Sequence, residues 1–576
     1  MSKTEKRGKV YRCILNDCGS ITGAEYPYDY ESCMKAAIYP VANSTVDAIF
    51  WNLHADLAGP YDAPKLWTEY LDPTPYIYVN RDGTTMGRYF ENTRVKGPDV
   101  YNVEMDRRRY GTAQEAWEKH GIDITELVLE GAKKYGMDGW LSFRLNDMHH
   151  GDSEVHTKFW TDHPEYSLGD GAWGRDGHHG FDRTRVCFNF EFEEVREYVM
   201  APILAAARCY KPTGFELDFT RHLYFFRKDE VNPPVLTEFI RTLKTRLDKI
   251  AEEMGTEPFK IAAKIMVGYE ENLQYGFDYR EWAKEGLIDY IVAGGLAESP
   301  DMPIDEIVDS VKDYGVLVYA CYDALPFGAP ERKYHCSREF LAAQAANIYE
   351  KGADGVYFFN YGGFSGNNRK GRESVAAGYE GAFLMGCPSL IKRADKIYSV
   401  GWEARQGDYK RQLPILLYNN KPDEEGKILG IAKPQDIFID IADDVEIAFK
   451  IRDFQSYELQ LVISETESGF DGSQIPQVSE KIKVMNSYWP AIDKFEVKIN
   501  GRTVPKEAYL PSQNHNGSRK LRIDMLNFPE IAMKKGKNTV SMEITEEDKH
   551  LGSFRLLKIE RMFVDIEYYH SSSIVK

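Results

Sequence analysis

The sequence predicts a (β/α)8 barrel of parallel strands followed by an all-β sandwich. Three observations carry that prediction. Short apolar runs alternate with amphipathic stretches as far as residue 386, eight such runs occur, and beyond about residue 400 the texture changes to apolar and polar residues in alternation, broken by Gly, Pro and Asn. Strands alternating with helices build a parallel sheet with helices covering it, and eight such units close the sheet into a barrel.

The predicted strands are Tyr11 to Leu15, Ala48 to His54, Trp140 to Leu145, Gly214 to Phe219, Lys260 to Val267, Tyr290 to Gly295, Val316 to Tyr322 and Gly355 to Tyr361. Helical periodicity runs over Ile124 to Tyr135, Val195 to Tyr210, Val235 to Met254, Ile304 to Tyr314, Arg338 to Lys351 and Glu373 to Met385. Pro233, Pro234 and Pro303 stand at helix starts, where a missing N–H costs little. The sandwich strands include DIFIDIA, EIAFKI, YELQLVIS, KFEVKINGRTV, NTVSMEI and MFVDIEYY. This divides the chain into a barrel over residues 1–395 and a sandwich over 396–576, with the change of texture near Val400 to Leu413.

Composition narrows the partners. The 576 residues carry 72 Lys and Arg against 90 Asp and Glu, a net charge of −18, which disfavours nucleic acid because such binding rests on basic residues neutralising phosphates. No apolar run is long enough to span a membrane. The eight cysteines are scattered without a C-x-x-C pair, so neither a zinc ribbon nor a disulfide scaffold is indicated, and no cofactor is called for. MSKTEKRGKV lacks an apolar signal core, which points to the cytoplasm for the chain as given, or to a secreted or periplasmic protein if a signal has been removed. Homo-oligomerisation is left open.

The chemistry concentrates in GFELDFTRH, Gly214 to His222. Successive side chains of a strand point to opposite faces, so Phe215, Leu217 and Phe219 share one face, while Glu216 and Asp218 share the other, about 6 to 7 Å apart. In a barrel the apolar set packs under helices and the two acids point inward, where each needs a partner. An internal ion pair with Arg144 or Lys264 is the structural alternative to a chemical role. Asp218, nearer the carboxyl end where barrel active sites form, is the chemical candidate, and Glu216 braces it. Polar residues recur where other strands end: Asn16 and Asp17, His54 and Asp56, Asn146 and Asp147, Glu270, Glu298, Asp323, and Asn360. Long aromatic loops follow the second and third strands, and the latter holds His149, His150, His156, His163, His178 and His179 without the H-x-x-x-H helical spacing of a zinc hydrolase.

The succession KFWTDHPEYSL, FEFEEVREYVMAPILAAARCY, GFELDFTRH and DYREWAKEGLIDYIVAGG resembles the bacterial family 10 glycosyl hydrolase-like proteins over Tyr11 to Gly386. The fourth strand is similar to that family's Gly-x-x-Leu-Asp-(aromatic)-x-Arg pattern at Gly214, Leu217, Asp218, Phe219 and Arg221. The resemblance implies a barrel that cleaves O-glycosidic bonds of an oligo- or polysaccharide, with a catalytic or substrate-binding carboxylate at Asp218. Relatives often carry Glu after the seventh strand, where this chain has Asp323 in YACYDALP. FEVKINGRTV and KKGKNTVSMEI are similar to galactose-binding-like sandwiches appended to glycosidases.

Glycoside hydrolysis uses one protonated carboxyl and one carboxylate. The expectation is Asp218 as general acid, kept protonated by burial and neighbouring acids, with Asp323 or Glu270 as its partner across the barrel mouth. Candidates to hold the carbohydrate are His54, Asn146, Asp147, His149, His150, Arg221, His222, Glu298 and Asn360 for hydroxyls, and Trp160, Trp173, Tyr269 and Tyr361 for ring faces. Two rivals stand beside this reading. One is a metal-dependent barrel hydrolase or lyase with His54, His149, Glu216 and Asp218 as ligands; the other is a carbohydrate-binding barrel without turnover.

Overall fold

The computed structural model describes residues 6–17, 24, 26–53, 63–76, 78–80, 113, 115–146, 155–173, 183–294, 302–323, 338–359, 383–400, 413, 415–422, 428–464, 494–515, 518–546 and 556–569. Eight parallel strands form a closed barrel: β1 (Cys13–Asp17), β2 (Val46–Asn52), β3 (Asp138–Arg144), β4 (Gly214–Asp218), β5 (Lys260–Ile265), β6 (Tyr290–Ala293), β7 (Leu317–Asp323) and β8 (Gly355–Phe359). Each strand pairs with its neighbours in sequence, and β8 closes on β1 with Cys13 opposite Val356. All eight predicted strands are present. The predicted helix over Glu373 to Met385 lies almost wholly outside the described residues.

The helices around the barrel begin and end where the sequence provides chemistry for it. Helix α1 (Ile124–Lys134) is capped by Asp123, whose carboxylate accepts from the Glu126 N–H at 3.0 Å, and it ends in Lys133 and Lys134 beside the negative pole of its dipole. Helix α2 (Glu193–Tyr210) opens with two acids. Helix α3 (Pro233–Met254) starts on two prolines and stops at Gly255, whose φ of 64° is a left-handed cap that favours glycine. Short helices α4 (Tyr269–Gln274), α5 (Tyr279–Lys284) and α6 (Ile304–Val311) and the longer α7 (Arg338–Glu350) complete the described set on the later strands.

The strand alternation sorts residues into two cores. Phe215, Leu217 and Phe219 join the outer core under the helices, as do Leu141 and Phe143 of β3 and Ile261, Ala263 and Ile265 of β5. The inward set fills the barrel in layers. Its amino-terminal end is an aromatic floor of Tyr11, Trp140, Tyr290 and Tyr319, in which Tyr11 stacks on Tyr290 at 5.7 Å and Phe50 on Trp140 at 4.6 Å. The polar tips of the floor are satisfied: Trp140 Nε1 donates to the Tyr11 hydroxyl, and the Tyr290 hydroxyl to the Lys9 carbonyl. Gly214 is required here, because a Cβ at that position would sit 2.6 Å from the Trp140 ring and 2.4 Å from the Lys260 carbonyl oxygen. The floor closes the barrel from below and leaves the carboxyl-terminal half of the interior to polar groups.

Beyond the barrel, antiparallel strands form two sheets around a single apolar core. The larger sheet has the long strand Leu556–Tyr568 in its middle, paired with Lys396–Val400, Ile415–Pro422 and Phe454–Ser464. The smaller comprises Ile437–Ile441, Gly536–Ile544, Phe495–Ile499 and Arg502–Thr503. The segment EIAFKI, read as a strand, is instead the end of a helix, Val445–Ile451, capped by Asp444. Its apolar residues suit either period over so short a run, and the cap decides.

Candidate active site

Glu216 and Asp218 both point into the barrel, and neither is exposed by more than 1%. The strand register puts Ser142 opposite Glu216, and Arg144 and Lys264 on either side of Asp218. A cluster of charged and polar side chains follows directly from that register, immediately above the aromatic floor.

Asp218 is held by one of its two oxygens. Oδ1 accepts from the Thr220 N–H at 2.9 Å, the Thr220 hydroxyl at 2.9 Å, the Arg221 N–H at 3.1 Å and Lys264 Nζ at 3.3 Å. The first and third bonds form a turn that an Asp makes with the backbone two and three residues ahead, so the local sequence D-F-T-R builds its own cradle. Lys264 is also buried, reaches the Thr220 hydroxyl at 2.5 Å and stands 4.1 Å from the Phe359 ring centroid. The Arg144 guanidinium lies 5.6 Å from the same centroid. Oδ2 is buried and makes no hydrogen bond within the protein.

Glu216 is held differently. Oε2 accepts from the Ser142 hydroxyl at 2.5 Å and from Asn16 Nδ2 at 3.3 Å, while Oε1 is buried without a partner. Burial, and after it the charge of Asp218, push the Glu216 carboxyl up to about 7, against the opposing effects of Ser142, the nearby Tyr357 hydroxyl and Lys264. The Tyr357 hydroxyl faces this carboxyl but falls outside hydrogen-bond geometry. Glu216 therefore keeps its proton closer to neutral pH than an exposed glutamate does. Glu216 lies one inward position before Asp218 on the same strand.

The other candidates divide. Asp323 ends β7 with its backbone opposite Phe359, whose ring stands beside Lys264; its side chain lies outside the described residues. Glu270 is exposed on the first turn of α4 and is not brought into the buried cluster. Asn146 is a structural bracket: its amide donates to the Phe188 and Tyr224 carbonyls at 2.9 and 2.7 Å and accepts from the Phe188 N–H at 3.0 Å, which commits the groups proposed for sugar hydroxyls. Tyr269 is likewise engaged, its hydroxyl on Asp278 and its ring under Arg280 at 3.7 Å. Trp160 donates to the Val186 carbonyl and Trp173 to the Phe226 carbonyl; both are half-buried, and Trp173 lies 4.9 Å from Tyr275. Arg221 contributes its backbone to Asp218, and His222 is buried beside it. His54, Asp147, His149, His150, Glu298, Asn360 and Tyr361 lie outside the described residues.

No protein-family model matches the chain, and no curated protein is similar to it in sequence. Solved structures do resemble it. The glycoside hydrolase domain of PgaB (BpsB) from Bordetella bronchiseptica shares 10% identity over 62% of this chain and 96% of its own, with a TM-score of 0.37. A maltogenic α-amylase, AmyB, from Thermotoga neapolitana shares 10% identity over 92% and 98%, with a TM-score of 0.32. A cycloisomaltooligosaccharide glucanotransferase from Paenibacillus sp. gives 10% and 0.32 over 96% of this chain, which spans only 57% of that protein's length.

Sequence reasoning missed Asn16 as a ligand of Glu216, together with Ser142, Thr220 and Tyr357. Asn16 was read as following β1, but it belongs to the strand and turns inward after Ile14. The signal was present in the period of two: Ser142 follows Trp140 on the inner face of β3, and Tyr357 precedes Phe359 on that of β8. Among the described residues, no three His, Cys, Asp or Glu side chains are grouped to hold a metal ion, and no helix is long and apolar enough to cross a membrane.

Proposed function

We propose that this chain is a glycoside hydrolase acting on an oligo- or polysaccharide, with its chemistry at the carboxyl-terminal end of the barrel over residues 1–395 and the sandwich over residues 396–576 serving as an appended, galactose-binding-like module. The group whose fourth-strand pattern it carries is the bacterial family 10 glycosyl hydrolase-like proteins. The observation that supports the reading is the carboxyl pair on β4, in which two buried acids of one strand are held by different partners inside a desolvated barrel. Glycoside cleavage needs such a division of roles between acids.

The donors on Asp218 decide its part. Four hydrogen bonds, one from an ammonium, converge on Oδ1 and leave Oδ2 as the oxygen that bonds nothing within the protein. Asp218 is therefore assigned as the nucleophile or base, acting through Oδ2, and the general-acid role first given to it passes to Asp323. Position 323 belongs to the series 317, 319, 321 on β7, whose other members face the barrel interior, and its backbone lies at the level of Phe359. The acid would protonate the leaving oxygen as that bond to the anomeric carbon breaks, and Asp218 would supply the electron pair directly or through water. Lys264 and Arg144 hold the site's positive charge while this happens.

The test is a panel of oligosaccharides and aryl glycosides offered to wild type, Asp218→Asn and Asp323→Asn, with product release and binding followed together. The reading expects turnover by wild type and a loss of at least about a thousandfold in Asp218→Asn with binding retained. Turnover unchanged in Asp218→Asn, with the variant folded, removes Asp218 from the chemistry. Saturable sugar binding without turnover in all three proteins favours the non-catalytic barrel instead.

A further inference from the structure

Thr220 follows β4 in the chain, is fully buried, and touches an ammonium and a carboxylate with the same hydroxyl. Lys264 Nζ reaches its oxygen at 2.5 Å, and that oxygen lies 2.9 Å from Asp218 Oδ1. An ammonium donates and has nothing to accept with, so the Thr220 oxygen is the acceptor from Lys264 and its own proton goes to Asp218. A direct contact of 3.3 Å from Lys264 Nζ to Oδ1 closes the triangle. That contact is long for a charge-assisted hydrogen bond, so the short bond to Thr220 is the one that fixes where the ammonium sits. The Phe359 ring, with its centroid 4.1 Å from Nζ, attracts the charge without giving it a direction.

We propose that Thr220 is a positioning residue that holds Lys264 on the Oδ1 side of Asp218 and so keeps Oδ2 open for the reaction. The inference rests on the assignment of Asp218 as nucleophile or base for its effect on turnover, and on the geometry alone for its effect on the ammonium. Lys264 and Asp218 are register partners on adjacent strands, so the ammonium can pass from one oxygen of the carboxylate to the other while both strands stay in place. Oδ2 is buried and makes no hydrogen bond among the described residues. Without the Thr220 hydroxyl, Lys264 loses its short bond, and a buried N–H left without an acceptor is destabilising. Oδ2 is then the open acceptor at its own level of the barrel. Glu216 Oε1 is also open, but it belongs to the inward position before, where β4 faces Ala262 of β5. An ammonium on Oδ2 would occupy the lone pairs that the reaction needs.

The test compares crystal structures and kinetics of the full chain as wild type, Thr220→Val and Thr220→Ser. Valine keeps the shape of threonine and removes the hydroxyl; serine keeps the hydroxyl. In Thr220→Val, Nζ of Lys264 should lie within hydrogen-bond distance of Asp218 Oδ2, whereas in Thr220→Ser it should stay on the hydroxyl and Oδ1. An ammonium that remains on Oδ1 in Thr220→Val, or that turns to Glu216 Oε1, overturns the proposal. On the same panel of oligosaccharides and aryl glycosides, Thr220→Val should lower kcat and kcat/KM together by roughly tenfold to a hundredfold with KM unchanged, and Thr220→Ser should restore both. Turnover that is the same in wild type and Thr220→Val overturns the positioning role. An ammonium that moves in Thr220→Val, in a protein whose wild type turns over nothing, leaves the placement of Lys264 standing and removes the catalytic reading. Should Thr220→Val fail to fold, Thr220→Ala removes the same hydroxyl and is read by the same distances.

Discussion

Glu216 shows how one buried side chain ties the pH response of the molecule to its site. Its folded value of about 7 lies above the ordinary glutamate value of 4.5, so between those values the folded state holds a proton that the unfolded state has lost. Stability is then highest below about 4.5, falls as pH rises towards 7, and is fully reduced above it. The size is on the order of 3 kcal/mol, since one unit corresponds to ~1.4 kcal/mol. Glu216→Gln carries no ionisable group and keeps the shape of the neutral acid. It should match wild type in urea unfolding near pH 4 and exceed it by roughly that amount at pH 8; equal differences at the two values would show that Glu216 is not the group responsible. The inward placement of Glu216 and Asp218 was legible from alternation along β4, and the partner Lys264 was named from it. Their division of roles was not, because it depends on which oxygen each donor reaches, and Ser142, Asn16 and Thr220 acquire that relation only when three strands and a turn are assembled.

At the scale of elements, the barrel strands were readable because their outward faces repeat apolar residues and their inward faces alternate with them. The short helices α4 and α5 were not, since each is only six residues long, too short to show a helical period, and only α5 has a side-chain cap, Asp278. Two elements make quantitative commitments. Gly214 starts β4 against the Trp140 ring and the Lys260 carbonyl, one of which is backbone and has little freedom to retreat. Gly214→Ala should destabilise by about 1 to 3 kcal/mol through overpacking, read as a lower urea midpoint with the slope unchanged. A neutral result would mean that the floor of the barrel has slack. Asn146 ties the end of β3 to the chain at Phe188 and Tyr224, in the loops that follow β3 and β4. Asn146→Ala leaves two carbonyls and one N–H without that partner, at roughly 1 to 3 kcal/mol for each group that stays buried. Its effect should therefore appear in thermal unfolding as a large loss, whereas a residue that only contacts substrate would leave the melting temperature unchanged.

The whole molecule is knit by the order in which its last strand is used. Leu556–Tyr568 comes at the end of the described chain but lies in the middle of the larger sheet, between Ile415–Pro422 and Phe454–Ser464, and also pairs with Lys396–Val400. At its end the Tyr568 hydroxyl and the Tyr398 hydroxyl both donate to Asp443, which also receives Lys396 Nζ at 2.9 Å in a buried cluster. The Tyr568 N–H reaches Asp395 at 2.8 Å, where the barrel passes into the sandwich. On the barrel side, α7 places Ala343 in the sandwich core and sends Asn347 to the Asp440 carbonyl at 2.9 Å, while Lys351 pairs with the Asp440 carboxylate at 3.0 Å. Removing the strand would open three ladders, strip the apolar residues between the sheets of their cover, and leave Asp443 and Lys396 buried without Tyr568, a far larger loss than the roughly 5 to 15 kcal/mol by which domains are usually stable. A chain stopped after residue 555 should therefore lose the antiparallel sheets as a unit, with a fall in β-sheet circular dichroism and the appearance of aggregates from unpaired strand edges. A chain stopped after residue 569 keeps every one of these contacts and should retain the β-sheet signal. If the shorter truncation product also retained the full β-sheet signal and one cooperative transition, the last strand would be an accessory to the sandwich, and the coupling through Asp443 and α7 would have to be carried by the earlier strands alone.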